Sequence, residues 1–160
     1  MKKVLQETLR QIRGFTRQLL ESTDPDWVMW APAGTSNHML WHAGHAVWVQ
    51  DKLCVMALTG TSELPENWAN VFGMNCEPVA TQTKWPDLQT VKQQLAEQQI
   101  RLHELMENMT AEQLVVEVGP DPDLVGGIIH GLHDEAKHHG EMYLLSKLRA
   151  AQSTQNGTTT

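Results

Sequence analysis

Apolar residues recur at three- and four-residue steps in four long segments of the chain, and this spacing predicts four amphipathic helices. The predicted helices cover residues 2 to about 22, about 37 to 58, 87 to about 108 and about 123 to 150. No segment shows the strict alternation that is typical of a strand. We therefore predict an all-α protein, an antiparallel four-helix bundle with up-down-down-up or up-down connections.

The segments between the predicted helices are rich in Pro and Gly and differ in length. Residues 59–86, after the second helix, form a connection that is too long for a simple turn, and such a length indicates a functional role. Residues 151–160 are dominated by Ser, Thr, Gln, Asn and Gly, which are too polar to pack against a core. We predict a single domain over residues 1–150 and a disordered polar tail over 151–160.

Charge and cysteine content argue against several classes of function. The net charge of −7, from 12 Lys and Arg against 19 Asp and Glu, is unfavourable for binding phosphate backbones, so we expect no nucleic-acid partner. Cys54 and Cys76 form no Cys-x-x-Cys motif, which argues against a zinc ribbon, a thioredoxin-type site or a disulfide scaffold. Polar residues interrupt the N-terminal segment, and no apolar run is long enough to span a membrane. We expect a cytoplasmic protein without a membrane partner.

The eight histidines are unevenly distributed, because seven of them lie within residues 38–45 and 130–139. On the fourth predicted helix, His130, Asp134 and His138 follow each other at four-residue steps, which place them on one face. An imidazole or a carboxylate that faces a helical core without a partner is costly, and a divalent metal ion relieves that cost. Two ligands four residues apart can hold one ion from the same side.

The second predicted helix carries His38, His42 and His45 within about 60° of one another on the helical wheel. One of them can supply a third ligand from a second helix. Three protein ligands that leave coordination positions for water or substrate are typical of a catalytic metal site.

Other titratable residues are given ordinary roles. A lone histidine is more often a hydrogen-bonded core residue or a surface residue than a ligand, and we adopt that interpretation for His103. His133 and His139 project from other faces of the fourth helix, so we expect them to face solvent or to support the ligands. Glu135 and Glu141 are interpreted as helix-surface charges within reach of the ligands.

Two histidine-bearing segments resemble the DinB/YfiT-like metalloenzyme superfamily. These segments are LWHAGHAVW at residues 40–48 and HGLHDEAKHHGEM at residues 130–142. The resemblance extends to LPENW at 64–68 with Phe-Gly at 72–73, and to the chain length and the four helices. It therefore covers about residues 2–150, and its most specific part is the motif on the fourth helix.

The resemblance implies a metal site at His42, Asp134 and His138. In the superfamily, one histidine of the second helix joins a pair at four-residue spacing on the last helix, the second of which precedes Gly-Gln or Gly-Glu. Asp134 stands where a histidine is frequent, but the mycothiol-dependent maleylpyruvate isomerases of the superfamily similarly use a carboxylate there. Asp134 binds the ion directly or through a water, or His130 replaces it one turn earlier. His45 is the other substitute, and both His45 and His130 are also candidates for supporting the ligands.

The ligand set and the resemblance together suggest the chemistry. A carboxylate with imidazoles suits zinc first, and also nickel, iron, manganese or cobalt. Relatives include thiol transferases that use bacillithiol, mycothiol or glutathione, so the resemblance implies thiol-dependent S-transfer or isomerisation of a small-molecule substrate, in a homodimer. Metal-dependent hydrolysis is the nearest enzymatic alternative. A non-catalytic metal-binding or dimerising helical bundle is the alternative from a different class.

Overall fold

The computed structural model describes residues 1–74, 76, 84–116 and 123–156. Within these ranges the chain is helical and contains no strand, which confirms the all-α prediction. The helices are α1 (Lys2–Glu21), α2 (Met39–Gln50), α3 (Met56–Thr59), α4 (Trp68–Phe72), α5 (Leu88–Glu107) and α6 (Leu124–Asn156). Short 3-10 turns lie at Pro25–Trp27 and Glu112–Leu114.

Helices α2 and α3 form one continuous rod, because a π-helical segment, Asp51–Val55, joins them without a break. The rod begins at Met39, two residues after the predicted start, because His38 is the N-cap: its Nδ1 accepts a hydrogen bond from the Trp41 amide at 3.1 Å. It ends at Gly60, whose φ of +84° is the left-handed conformation that commonly terminates helices. The histidines of α2 thus lie in its first two turns.

Helix α5 begins as predicted, with the Asp87 side chain accepting a hydrogen bond from the Thr90 amide at 2.7 Å. Helix α6 continues to Asn156, past the predicted end near residue 150. No Gly or Pro occurs in residues 151–156 to stop the helix. The division into a domain over 1–150 and a tail over 151–160 stays a prediction. The rest of the predicted tail, 157–160, lies outside the described residues.

The four long helical elements contact each other pairwise. Helix α1 packs against α5 and α6, and α2 packs against the same two helices. Each contact buries one apolar stripe, and two clusters of core residues result. The first cluster includes Leu40, Val47, Trp68, Phe72 and Met142, and most of its members come from α2, α4 and α5. None of the described helices is both long and apolar enough to span a bilayer.

A buried polar network, formed by Arg13, Gln50, Gln98 and Glu135, takes one residue from each of α1, α2, α5 and α6. Arg13 Nε and Nη2 donate to the two Glu135 carboxylate oxygens at 2.8 and 3.0 Å. Arg13 also donates to the side-chain oxygens of Gln50 and Gln98 and to the Leu95 carbonyl, at 2.6–3.1 Å. Glu135 is fully buried, so its interpretation as a helix-surface charge is wrong. Its charge is compensated by Arg13.

Candidate metal centre

The packing of α2 on α6 brings the two histidine-bearing segments together. His42 and His45 of α2 and His138 of α6 are all buried. Asp134 lies one turn before His138 and is half-buried, whereas Glu141 lies one turn after it and is exposed. These five side chains therefore meet at one place between the helices.

Three ligand atoms form the first of two groups. Asp134 Oδ2 lies 3.9 Å from His45 Nε2 and 3.5 Å from His138 Nε2. Asp134 Oδ2 is also buried and has no hydrogen-bond partner among the described residues. A tetrahedral ion with ligands at about 2.05 Å spaces those ligands about 3.4 Å apart. The three residues, whose ligand atoms all lie within 4.8 Å of one another, therefore fit a divalent ion.

The second group contains His42, His138 and Glu141 and uses the other nitrogen of His138. His138 Nδ1 lies 2.8 Å from His42 Nδ1 and 2.8 Å from Glu141 Oε2, and His42 Nδ1 lies 3.1 Å from the same oxygen. These are hydrogen-bond distances, so the three side chains can satisfy one another with shared protons. His138 thus faces Asp134 with one nitrogen and Glu141 with the other.

The ring of His45 is held in one orientation. Its Nδ1 lies 2.6 Å from the carbonyl oxygen of Phe72, which can only accept, so Nδ1 carries the proton. The lone pair is then on Nε2, the atom that faces Asp134. Trp41 stacks on the ring at a centroid distance of 4.4 Å. A carbonyl on the remote nitrogen is the usual device that orients a metal-binding imidazole.

Burial sets the protonation of the histidines on α2. Loss of solvation lowers the pKa of His45, and it lowers the pKa of His42 to about 3, with a further decrease from the neighbouring histidines. Both imidazoles are therefore neutral near pH 7. A neutral imidazole is the form that binds a metal ion.

His38 has a pKa lowered to about 4 by burial, and this predicts a pH-dependent stability of the metal-free protein. Between pH 6.5 and 4, His38 is protonated in the unfolded chain but neutral in the folded protein. The free energy of unfolding should therefore fall as the pH decreases from 6.5 toward 4. The slope for this one group is about 1.4 kcal/mol per pH unit. Urea unfolding between pH 4.5 and 7 in the presence of a chelator measures it. His38→Asn, which keeps an N-cap acceptor, should reduce the slope, and parallel profiles would contradict the prediction.

The structure brings together most of the residues that the sequence singled out. Asp134 and His138 lie side by side, His42 approaches His138 Nδ1, and His45 is the α2 histidine beside Asp134. His130 is exposed and belongs to neither group. Each four-residue step rotates a helical position by about 40°, so two steps turn His130 away from the interface that His138 faces.

The chain is helical, and two of its facing helices carry buried histidines and a carboxylate that could hold a metal ion. The sequence profile of the DinB superfamily matches residues 8–142, so the chain belongs to the DinB superfamily. A conserved protein from Enterococcus faecalis has a similar crystal structure, with a TM-score of 0.63 over 92% of this chain and 96% of that one. Its sequence identity is 16%, so the likeness shows the fold alone. No curated protein matches the chain significantly.

Proposed function

We propose that this protein binds a divalent metal ion between α2 and α6 through His45 Nε2, Asp134 Oδ2 and His138 Nε2. The observation that carries the proposal is the buried Asp134 oxygen, which has no hydrogen-bond partner among the described residues although two imidazole nitrogens lie within 4 Å. A buried carboxylate oxygen without a partner is costly, and a cation beside it removes that cost.

The third ligand in this proposal is His45, whereas the family resemblance favours His42. His45 has its lone pair on the nitrogen nearest Asp134, because Phe72 holds the proton on the other one. His42 instead approaches His138 on the side opposite Asp134, at hydrogen-bond distance. We therefore assign His42 to the support of His138.

Glu141 completes the orientation of His138. When His138 binds through Nε2, the proton is on its Nδ1, which lies 2.8 Å from Glu141 Oε2. A carboxylate on the remote nitrogen fixes the tautomer of a ligating histidine and raises its basicity. Glu141 remains 47% exposed, so water still reaches this edge of the centre.

The ligand set supports zinc first, and also nickel, iron, manganese or cobalt. Such an ion supplies a Lewis acid with open coordination positions. We further propose a thiol-dependent S-transferase or isomerase that acts on a small molecule in the cytoplasm, with a low-molecular-weight thiol as partner and a homodimer as assembly. A metal-dependent hydrolase is the alternative. Superfamily membership supports this part of the proposal.

We also propose that α1, α2, α5 and α6 form an antiparallel four-helix bundle. The pairwise packing of these helices and the buried polar network, with one residue from each, support this arrangement.

One observation favours a non-catalytic role instead. His42, His138 and Glu141 lie at mutual distances of 2.8–3.1 Å, so this half of the cluster can hold α2 to α6 by hydrogen bonds alone. In that case the histidines stabilise the helix pair, and the protein acts as a binding or assembly module.

Metal affinity of matched variants separates these proposals. For untagged protein in competition with a chromogenic chelator, His45→Ala and Asp134→Ala should each weaken zinc or cobalt binding by more than about 100-fold, because each removes a ligand. His42→Ala removes only a supporting partner, so a loss of about 10-fold is expected. His103→Ala, on exposed surface, should change nothing.

The outcomes of this experiment are distinct. A larger loss for His42→Ala than for His45→Ala would overturn the assignment of His45. Unchanged affinity in all variants would overturn the metal site and favour the non-catalytic role.

A turnover assay of the metal-bound protein separates the two enzymatic proposals. Turnover of electrophilic acceptors only in the presence of bacillithiol, mycothiol or glutathione supports S-transfer, and turnover without added thiol supports hydrolysis.

A further inference from the structure

A second site lies apart from the histidines, between the end of α1, the Pro25–Trp27 turn and the C-terminal half of α6. It is a cavity of about 250 Å³. Its lining includes two indole rings, three hydroxyl groups and one guanidinium, from Ser22, Thr23, Trp27, Trp30, Ser146 and Arg149. Leu145, also in the lining, is seven residues beyond His138, which corresponds to about 10 Å along α6. We call it the Arg149 cavity.

Arg149 is held by the two tryptophans. Its Cζ lies 4.9 Å from the centroid of the Trp27 ring and 5.6 Å from that of Trp30. These are cation–π contacts, which hold the guanidinium over the rings without using its N–H groups as hydrogen-bond donors. The side chain is therefore fixed in direction before any ligand arrives, and less conformational entropy is lost on binding.

The edge of this guanidinium has no partner in the described ranges. Arg149 Nε is buried and makes no hydrogen bond there, and no carboxylate of those ranges lies within ion-pair distance. Arg10, Arg13 and Arg101 each pair with a glutamate at 2.6–2.9 Å. Arg17 has no such pair either, but it is exposed and bonds to the Gln99 side chain. In a chain of net charge −7, a half-buried arginine without an acidic partner is unusual.

We propose that the Arg149 cavity binds a small organic carboxylate attached to an aromatic ring. The guanidinium fork matches the two oxygens of a carboxylate with parallel hydrogen bonds. The indoles of Trp27 and Trp30 offer apolar surface to a ring. The volume is below that of pockets for drug-sized molecules, so the ligand is of single-ring size. Phosphate lacks the apolar body and is the weaker fit.

Asp24 lowers the affinity of this site for anions. It lines the cavity, and its Oδ1 accepts a hydrogen bond from the Asp26 amide at 3.0 Å. The carboxylate of Asp24 repels an incoming anion and lowers the affinity. Asp24→Asn keeps the hydrogen-bond acceptor for the amide but removes the charge, so it isolates the electrostatic effect.

Titration with benzoate, followed by the indole N–H signals in a ¹⁵N-edited NMR spectrum, tests the proposal. The signals of Trp27 and Trp30 should shift saturably, and neutral benzamide should not produce this effect. Arg149→Gln should weaken benzoate binding by about tenfold or more, since a charged bidentate contact is lost. Asp24→Asn should strengthen it by about two- to fivefold. Arg17→Gln, outside the cavity, should leave it unchanged.

Three results would each overturn the carboxylate site: no saturable shift of the two tryptophan signals, equal affinity for benzamide and benzoate, or unaltered affinity in both Arg149→Gln and Asp24→Asn. If Arg149→Gln fails to fold, as judged by its thermal transition, Asp24→Asn alone decides. All measurements use protein treated with a chelator, so the outcome does not depend on the metal centre.

Discussion

Arg13→Met should lower the free energy of unfolding by about 3–5 kcal/mol. Methionine replaces the aliphatic part of the arginine side chain but leaves the Glu135 carboxylate fully buried without its cation. Gln50 Nε2 still donates to Glu135 at 2.6 Å, but a neutral donor does not compensate a buried charge. Urea unfolding at pH 7, followed by far-UV circular dichroism, measures the change.

The double variant Arg13→Met/Glu135→Met should recover most of that loss, because it removes both charges rather than one. Arg10→Met is the matched control, since Arg10 pairs with Glu7 on the surface of the same helix. Little or no change in the free energy of unfolding is expected there, because both side chains are exposed. Equal losses in Arg13→Met and Arg10→Met would show that the buried pair has no special role.

Gly44→Ala should destabilise the protein by about 1–3 kcal/mol or more and weaken metal binding as well. A Cβ at this position overlaps three atoms of the Phe72 ring, so α4 must move away from α2. The Phe72 carbonyl moves with it and releases His45 Nδ1. Loss of such an outer partner costs about 10–100-fold in metal affinity. Urea unfolding and chelator competition measure the two effects.

Gly14→Ala is the control for this variant. Gly14 lies within α1, and a Cβ added there meets nothing within 4 Å. It should stabilise the protein by about 0.5–1 kcal/mol through helix propensity and leave metal binding unchanged. If Gly44→Ala is as stable as the parent, α4 is not packed as closely as the contact with Phe72 indicates.

Local signals in the sequence predicted the helices well where the caps are chemically clear. Asp87 marks the start of α5 because its carboxylate is an ordinary cap. His38 is a cap that composition rules do not favour, so the predicted start of α2, near residue 37, lies too early. The end of α6 was predicted too early because polar composition alone does not stop a helix.

The candidate site could be predicted only in part. Four-residue spacing identified Asp134 and His138, which lie together. His42 and His45 are three residues apart, about 60° around the same helix, so the choice between them depends on how α2 is rotated against α6. That rotation is a property of tertiary packing. A sequence pattern does not contain it.

The sequence pattern indicates the burial of Arg13 but not the role of Phe72. Arg13 lies among Leu9, Thr16 and Leu20 at helical spacing, so its place on the buried stripe of α1 was detectable from the pattern. Phe72 acts on His45 through its backbone carbonyl. Every residue has such a group, so no side-chain pattern could have indicated this role.

The hydrogen bond from His45 to Phe72 joins the candidate centre to α4, which lies in the long connection after α3. Thermodynamic coupling is reciprocal, so a ligand that holds the His45 ring also favours the docked position of α4, and by the same factor. Local opening of α4 would then reduce affinity at the centre, although α4 contributes no ligand atom. Ligand occupancy of the centre and the docking of α4 are therefore coupled, and a measurement of either one reports on the other.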